Sequence, residues 1–98
     1  MRFEWDENKN IKNYEKHGVS FEIASKVFDD PLIVYILGRI VDGEERWQAF
    51  GKVADLPLLV VVHTYRDLNG EEIIRIISAR YATSHERRHY EQDRYSTN

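Results

Sequence analysis

Residues 75–90 combine the side chains most suited to binding a phosphate. They carry Arg75, Arg80, Arg87 and Arg88 against one acidic residue, Glu86, in a chain whose formal net charge is −3. A guanidinium is always charged and can bind a phosphate through two parallel hydrogen bonds. The cluster therefore indicates a dedicated anion site, although an ordinary solvated helix face with mixed charges explains the same composition.

Two residues near this cluster in the predicted fold, His63 and Tyr90, could move protons, and Arg46 falls on a neighbouring predicted strand. RNA supplies its own nucleophile, the 2′-hydroxyl, so cleavage needs a proton acceptor, stabilisation of the charge on phosphorus and a proton for the leaving 5′ oxygen. These residue types could perform that reaction without a metal. The pattern equally fits phosphate or RNA binding without catalysis, and purely structural charges.

A second pattern, His85-Glu86-Arg87-Arg88-His89, matches the H-E-x-x-H spacing of zinc hydrolases. Only nine residues follow His89, and two arginines would stand beside the cation. Thr83 and Glu86 also have the spacing of a capping box, which directs the carboxylate back to the helix start. We therefore expect no metal and no cofactor, and divide Glu86 between a helix cap and a catalytic carboxylate.

Lys16 and His17 precede Gly18 at the end of a predicted helix. Cations suit a helix C-terminus and glycine suits the left-handed position after it, so a structural role is sufficient. We keep both residues as candidate RNA contacts.

The predicted fold is α+β with the order ααββββα. Asp6 and Gly18 bound a first helix over about 7–17, and Ser20 caps a short second one that ends before Pro31. Apolar runs with the turn signals Asp42-Gly43 and Asn69-Gly70 predict a four-stranded antiparallel sheet. The predicted strands cover 32–37, 46–53, 58–66 and 72–79, and a last helix runs from Ser84 to about Arg94.

The 98 residues suffice for one domain, 1–98, and the chain contains no cysteine. This excludes disulfide scaffolds, thiol nucleophiles and cysteine-based metal sites. The N-terminal residues lack the apolar core of a signal peptide, and the apolar run at 56–62 is too short to span a bilayer. We expect a cytoplasmic protein that does not bind membranes.

Segments from both halves of the chain together resemble the BrnT toxin family. The resemblance spans about residues 3–91 and rests on Phe3-Glu4-Trp5-Asp6, Lys9, Asn13, Lys16-His17-Gly18-Val19, Phe21, Glu45-Arg46, Val60-Val61-Val62-His63-Thr64, Arg75-Ile76-Ile77-Ser78-Ala79-Arg80, Ala82-Thr83, Glu86-Arg87 and Tyr90-Glu91. It implies a type II toxin with a RelE-like fold and metal-independent ribonuclease activity that inhibits translation. The implied partner is a ribbon-helix-helix antitoxin, which binds DNA.

The resemblance also implies that Arg80 and Tyr90 occupy positions of phosphate-binding and proton-transfer groups. We add Arg46 and His63 as catalytic candidates, and Arg75, Arg87 and Arg88 as RNA contacts. His85 and His89 depart from the family pattern. Two alternatives remain open, a module that binds RNA or the ribosome without cutting, and a small zinc hydrolase using His85, Glu86 and His89.

Overall fold

The computed structural model describes residues 1–94, and the side chains of residues 1–92. Its elements are β1 (Arg2–Glu4), α1 (Glu7–His17), α2 (Phe21–Ser25) followed by a 3-10 helix (Lys26–Asp29), β2 (Val34–Val41), β3 (Glu44–Gly51), β4 (Leu59–Leu68), β5 (Glu71–Tyr81) and α3 (Ser84–Arg94). Residues 95–98 of the predicted domain lie outside the described part. No helix in that part has the length and apolar character needed to cross a membrane.

The sheet has five strands in the order β1-β5-β4-β3-β2, and β1 runs parallel to β5. The other neighbours are antiparallel. The prediction of a purely antiparallel four-stranded sheet, and with it the ααββββα layout of a RelE-like chain, was therefore wrong in this respect. The added strand has only three residues, too few to show a two-residue period.

Local signals set the helix and hairpin positions correctly. The Asp6 side chain accepts a hydrogen bond from the Lys9 backbone, and Gly18 ends α1 at φ 73°. Both hairpin turns place two residues at positive φ, which matches the right-handed twist of the strands they join. The strands extend beyond the predicted ranges or are shifted from them. Because the turns have only two residues, strand pairing resumes directly after each turn, at Glu44 and at Glu71.

The two faces of the sheet differ in what covers them. Helices α1 and α2 cover one face, which we call the helix side. Its core consists of Val19, Phe21, Ala24, Val27, Ala49, Leu59, Val61, Ile74, Ile76 and Ala79. On the opposite face a smaller cluster of Phe50, Leu58 and Val60 packs against Val34, Ala82 and the α3 residue Tyr90.

A one-residue β-bulge in β5 controls which side chains share a face. Val62 pairs with Ser78 and His63 pairs with Ile76, so Ile77 has no partner of its own on β4. Ile76 and Ala79 are three residues apart, yet both lie in the helix-side core. Regular alternation would place them on opposite faces. The bulge therefore reverses the facing of every residue beyond it in β5.

The Asn13 side chain connects α1 to the edge of β5. Strand β1 pairs with β5 only as far as Arg75. Beyond that point, the Asn13 amide accepts a hydrogen bond from Ala79 N at 3.1 Å and donates to Ala79 O at 2.8 Å. It also donates to Val19 O at 2.9 Å. Asn13 is 8% exposed, so these backbone groups have little access to water.

We expect Asn13→Ala to lower the free energy of unfolding by about 2–4 kcal/mol, because it leaves buried backbone groups without partners. Urea unfolding followed by circular dichroism measures the loss. The control is Asn8→Ala, an exposed asparagine of the same helix. Equal unfolding midpoints for the two variants would contradict this role of Asn13.

Candidate nucleic-acid interface

Arg46, Arg75 and Arg80 lie on the sheet face opposite α1 and α2, and we call the surface around these three residues the arginine face. Arg80 pairs with Val60, which belongs to the cluster beneath α3. Arg75 pairs with Thr64. Arg46 precedes Trp47, the partner of His63, and is therefore level with Thr64 on the next, antiparallel strand. The bulge is what places Arg75 and Arg80 on one face, since they are five residues apart.

The arginine face divides into two parts. Arg46 and Arg75 flank Thr64, with backbones about 10 Å apart because one strand lies between them. Arg80 lies about 15 Å from Arg75 along β5, at the start of α3. This register suits the binding of neighbouring phosphates of one strand better than the binding of a single phosphate by Arg46 and Arg80 together.

Arg80 and Glu86 form the strongest polar contact of this face. The guanidinium donates from both terminal nitrogens, at 2.8 Å to Glu86 Oε1 and at 3.1 Å to Oε2. Glu86 Oε1 also accepts from Thr83 N at 2.9 Å, and Thr83 Oγ1 accepts from Glu86 N at 3.1 Å. The predicted capping box is therefore present, and the same carboxylate orients Arg80.

This pairing fixes the charge of both groups. Hydrogen bonding to Arg80 lowers the pKa of Glu86 to about 2, and bonds at Thr83 add to the effect while partial burial opposes it. The pKa of Arg80 is raised, first by its hydrogen bonds to Glu86. Glu86 is ionised at neutral pH and is a weak proton acceptor, so the geometry favours its role as a cap and positioning residue over that of a general base.

Helix α3 brings Tyr90 to the arginine face. Its ring stacks on Phe50 with centroids 4.1 Å apart and an angle of 21° between the planes. Phe50 pairs with Val60, the partner of Arg80. Tyr90 therefore lies over the same end of the sheet as Arg80, while the exposed Arg87 and Arg88 line a shallow groove along α3.

His63 lies on the helix side, away from the arginine face. It is 2% exposed and its ring contacts Phe28 and Tyr35 edge to face, with centroids 4.9 and 5.9 Å away. Burial lowers its pKa, and the contact of Nδ1 with Val61 O at 3.1 Å opposes that shift. The structure thus separates His63 from Arg80, with which the sequence analysis grouped it, because the bulge turns Arg80 to the other face.

The remaining candidates lie apart from this face or within α3. Lys16 and His17 are the last two residues of α1, in the helix layer. Within the described residues, no three His, Asp or Glu side chains are placed to hold a metal. In the H-E-x-x-H pattern, Glu86 is already bound by Arg80, and the His89 ring packs against Tyr90 at 4.8 Å.

The sequence analysis missed two features of the site. Arg46 Nε is buried without a hydrogen-bond partner among the described residues, and the nearest carboxylate oxygen, Glu44 Oε1, is 4.0 Å away. A cavity of about 580 Å³ also lies mainly on the helix side, at His63. The aromatic residues Tyr35, Trp47 and Tyr65 in its wall stand on three adjacent strands, and only the register shows that they meet.

Comparisons with known proteins identify the family and support the fold. Residues 5–86 match the family model described as the ribonuclease toxin BrnT of type II toxin–antitoxin systems. The structure is similar to the 1.1 Å crystal structure of the Brucella abortus ribonuclease toxin BrnT, with 24% sequence identity and a TM-score of 0.64. The match covers 86% of this chain and 99% of that chain, and at this identity it supports the fold.

No curated protein matches the sequence. Because the family model covers most of the chain, this protein belongs to the BrnT family of ribonuclease toxins of type II toxin–antitoxin systems.

Proposed function

We propose that this chain is a single toxin domain, 1–98, that cleaves RNA without a metal and thereby inhibits translation in the cytoplasm. The observation that carries the proposal is the position of Arg80 on an open sheet face that it shares with Arg46 and Arg75, beside Tyr90. Positive side chains along such a face can bind successive phosphates of one RNA strand.

In the proposed reaction the RNA 2′-hydroxyl loses its proton and attacks the adjacent phosphorus. The bond from phosphorus to the 5′ oxygen then breaks, and that oxygen takes up a proton. The products are a 2′,3′-cyclic phosphate and a 5′-hydroxyl. Arg80 stabilises the added negative charge on phosphorus, since the bidentate contact with Glu86 holds its guanidinium in one orientation.

The Tyr90 hydroxyl is assigned the proton that the leaving 5′ oxygen takes up, and solvent water accepts the proton of the 2′-hydroxyl, because His63 lies on the other face and Glu86 is bound to Arg80. The Tyr90 ring is fixed by its stacking on Phe50. Arg46 and Arg75 bind a neighbouring phosphate through their guanidinium groups. Arg87 and Arg88 extend the RNA contacts along α3. We assign no step to Lys16 or His17.

The partner is an antitoxin protein, as expected for a type II system. We propose that it has a ribbon-helix-helix fold and that DNA binding belongs to the antitoxin. The second candidate function is binding of RNA or the ribosome without cleavage. The buried His63 lies away from the arginine face, which favours binding without cleavage. The candidate proton-transfer group that remains beside Arg80 is a tyrosine, which is a weak acid and base at neutral pH.

The first test uses purified antitoxin-free protein, end-labelled RNA and excess EDTA, with mapping of the new ends. We expect fragments that end in 2′,3′-cyclic phosphate. RNA that stays intact, both alone and on translating ribosomes, while binding to the protein would support the second candidate and overturn cleavage.

We expect Arg80→Ala to lower the cleavage rate about 10²-fold or more, the usual effect of removing a positioned donor to the transition state. The matched control is Arg2→Ala, which removes an arginine that is also paired with glutamates, on the edge strand β1 beside the end of β5 remote from α3. Equal losses in the two variants would show that general charge, rather than the position of Arg80, supports cleavage.

The Arg80–Glu86 pair also predicts a pH dependence of stability. Because the pKa of Glu86 is lowered from 4.5 to about 2, its stabilising contribution is complete above pH 4.5 and disappears as the pH falls toward 2. Glu86→Gln should cost about 1 kcal/mol at pH 7, a small value because part of the pair stays exposed to solvent.

Urea unfolding midpoints between pH 5 and pH 3 measure this effect. Wild type and the variant should converge as the pH falls, whereas the control Glu15→Gln, an exposed α1 residue, should follow the wild type throughout. A constant gap between wild type and Glu86→Gln across this range would contradict the ion pair as its source.

A further inference from the structure

The cavity on the helix side has a chemical character opposite to that of the arginine face. We call it the aromatic–acidic cavity. Its volume of about 580 Å³ is in the range of binding sites for small groups. It is lined by Met1, Tyr35, Glu44, Glu45, Trp47, His63, Tyr65, Arg66, Glu72 and Ile74.

The pairing of adjacent strands brings the aromatic side chains of the cavity wall together. Trp47 pairs with His63, and Tyr65 pairs with Ile74. The 3-10 helix ends beside it, where Phe28 contacts His63 and Tyr35. Beyond Phe28 the rings are open, with Tyr35 48% and Tyr65 49% exposed. The faces of such rings attract cations.

The polar groups of the cavity are mainly acceptors. Glu45 and Glu72 form no ion pair with any described residue, although Glu72 accepts a hydrogen bond from the Tyr65 hydroxyl. The cationic side chain in the wall, Arg66, is bound to Glu4 at 3.1 Å. The negative charge of Glu72 reaches the aromatic wall, since it adds to burial in raising the pKa of Tyr35. An anionic ligand such as an RNA phosphate is disfavoured here.

His63 contributes a further acceptor. Its Nδ1 lies 3.1 Å from the Val61 carbonyl oxygen, so the neutral ring carries its proton on Nδ1 and presents a lone pair on Nε2. No described residue pairs with Nε2. The ring is 2% exposed and lines the cavity, so Nε2 offers an acceptor to a donor bound there.

We propose that the aromatic–acidic cavity receives an arginine or lysine side chain from a segment of the antitoxin. Carboxylates, aromatic faces and a histidine lone pair together match a guanidinium or ammonium group, which donates hydrogen bonds and carries positive charge. The half-exposed Leu37, the partner of Trp47, offers apolar contact to the flanking residues of that segment. The proposal rests on the proposed function, which supplies the antitoxin.

The first experiment titrates the purified chain with N-acetyl-arginine amide and observes the Trp47 indole and the His63 ring by nuclear magnetic resonance. We expect saturable shifts at both residues, and no matching response to N-acetyl-citrulline amide, which has the same shape without the charge. The double variant Glu45→Gln, Glu72→Gln should weaken binding about fivefold, the upper end of the loss expected for an exposed ion pair.

The charge-matched control is Glu15→Gln, Asp55→Asn, which removes two exposed carboxylates outside the cavity. It should change the affinity less than about twofold. Absence of saturable shifts, an equal response to citrulline, or equal losses in the two double variants would each overturn the cavity assignment. Tyr65→Ala, which removes an exposed ring, gives a second test of the same site.

The second experiment measures the affinity of the antitoxin for each variant, alongside RNA cleavage by the isolated chain. Glu45→Gln, Glu72→Gln should weaken the complex at least about tenfold and leave cleavage unchanged. Unchanged antitoxin affinity overturns this inference, whereas absence of cleavage by the wild type overturns the proposed function instead. Tighter RNA binding by the variant, with RNA-induced shifts at Trp47 and His63, would assign the cavity to RNA and reject the antitoxin.

Discussion

The β-bulge at Ile77 determines which side chains of this toxin lie on the same face of the sheet. In a regular hairpin closed at Asn69-Gly70, Arg80 would face the same side as His63 and would be buried beneath the helices. The bulge turns Ser78 and Arg80 to the open face and leaves Ile76 and Ala79 together in the core. A single inserted residue therefore creates the arginine face and separates it from the buried histidine.

Glu86 links the sheet to α3 through two interactions made by one carboxylate. It caps the helix at Thr83 and binds Arg80 with both oxygens. The helix has few apolar residues, and its described packing on the sheet centres on Tyr90. Helix capping and the ion pair therefore orient α3 on the sheet, where the burial of apolar residues is too small to do so. They also fix the positions of Arg80 and Tyr90 relative to each other.

Local sequence signals were sufficient for the helices, both tight turns and the capping box, because each depends on a few adjacent residues. Strand β1 was missed because three residues show no period and its pairing with β5 is distant in sequence. The facing of Arg80 could not be predicted either. The apolar residues Ile73, Ile74, Ile76 and Ile77 do not alternate with polar ones, so nothing local marks the bulge. The residue types of the candidate site could thus be predicted from the sequence, but which of these residues share a face of the sheet could not.

The two sheet faces also explain how an acidic chain can act on RNA. Arg46, Arg75 and Arg80 lie on the face beside α3, whereas Glu44, Glu45 and Glu72 line the cavity, which lies mainly on the helix side. The net charge of −3 is therefore a sum over two surfaces of opposite charge. Because the sheet keeps these surfaces apart, an anionic substrate and a cationic protein segment can be recognised by the same small domain without competing for the same side chains. An antitoxin anchored at the cavity would then reach the arginine face only by passing around an edge of the sheet. The edge strand at the cavity is β2, which carries Tyr35 and pairs with β3 at Trp47.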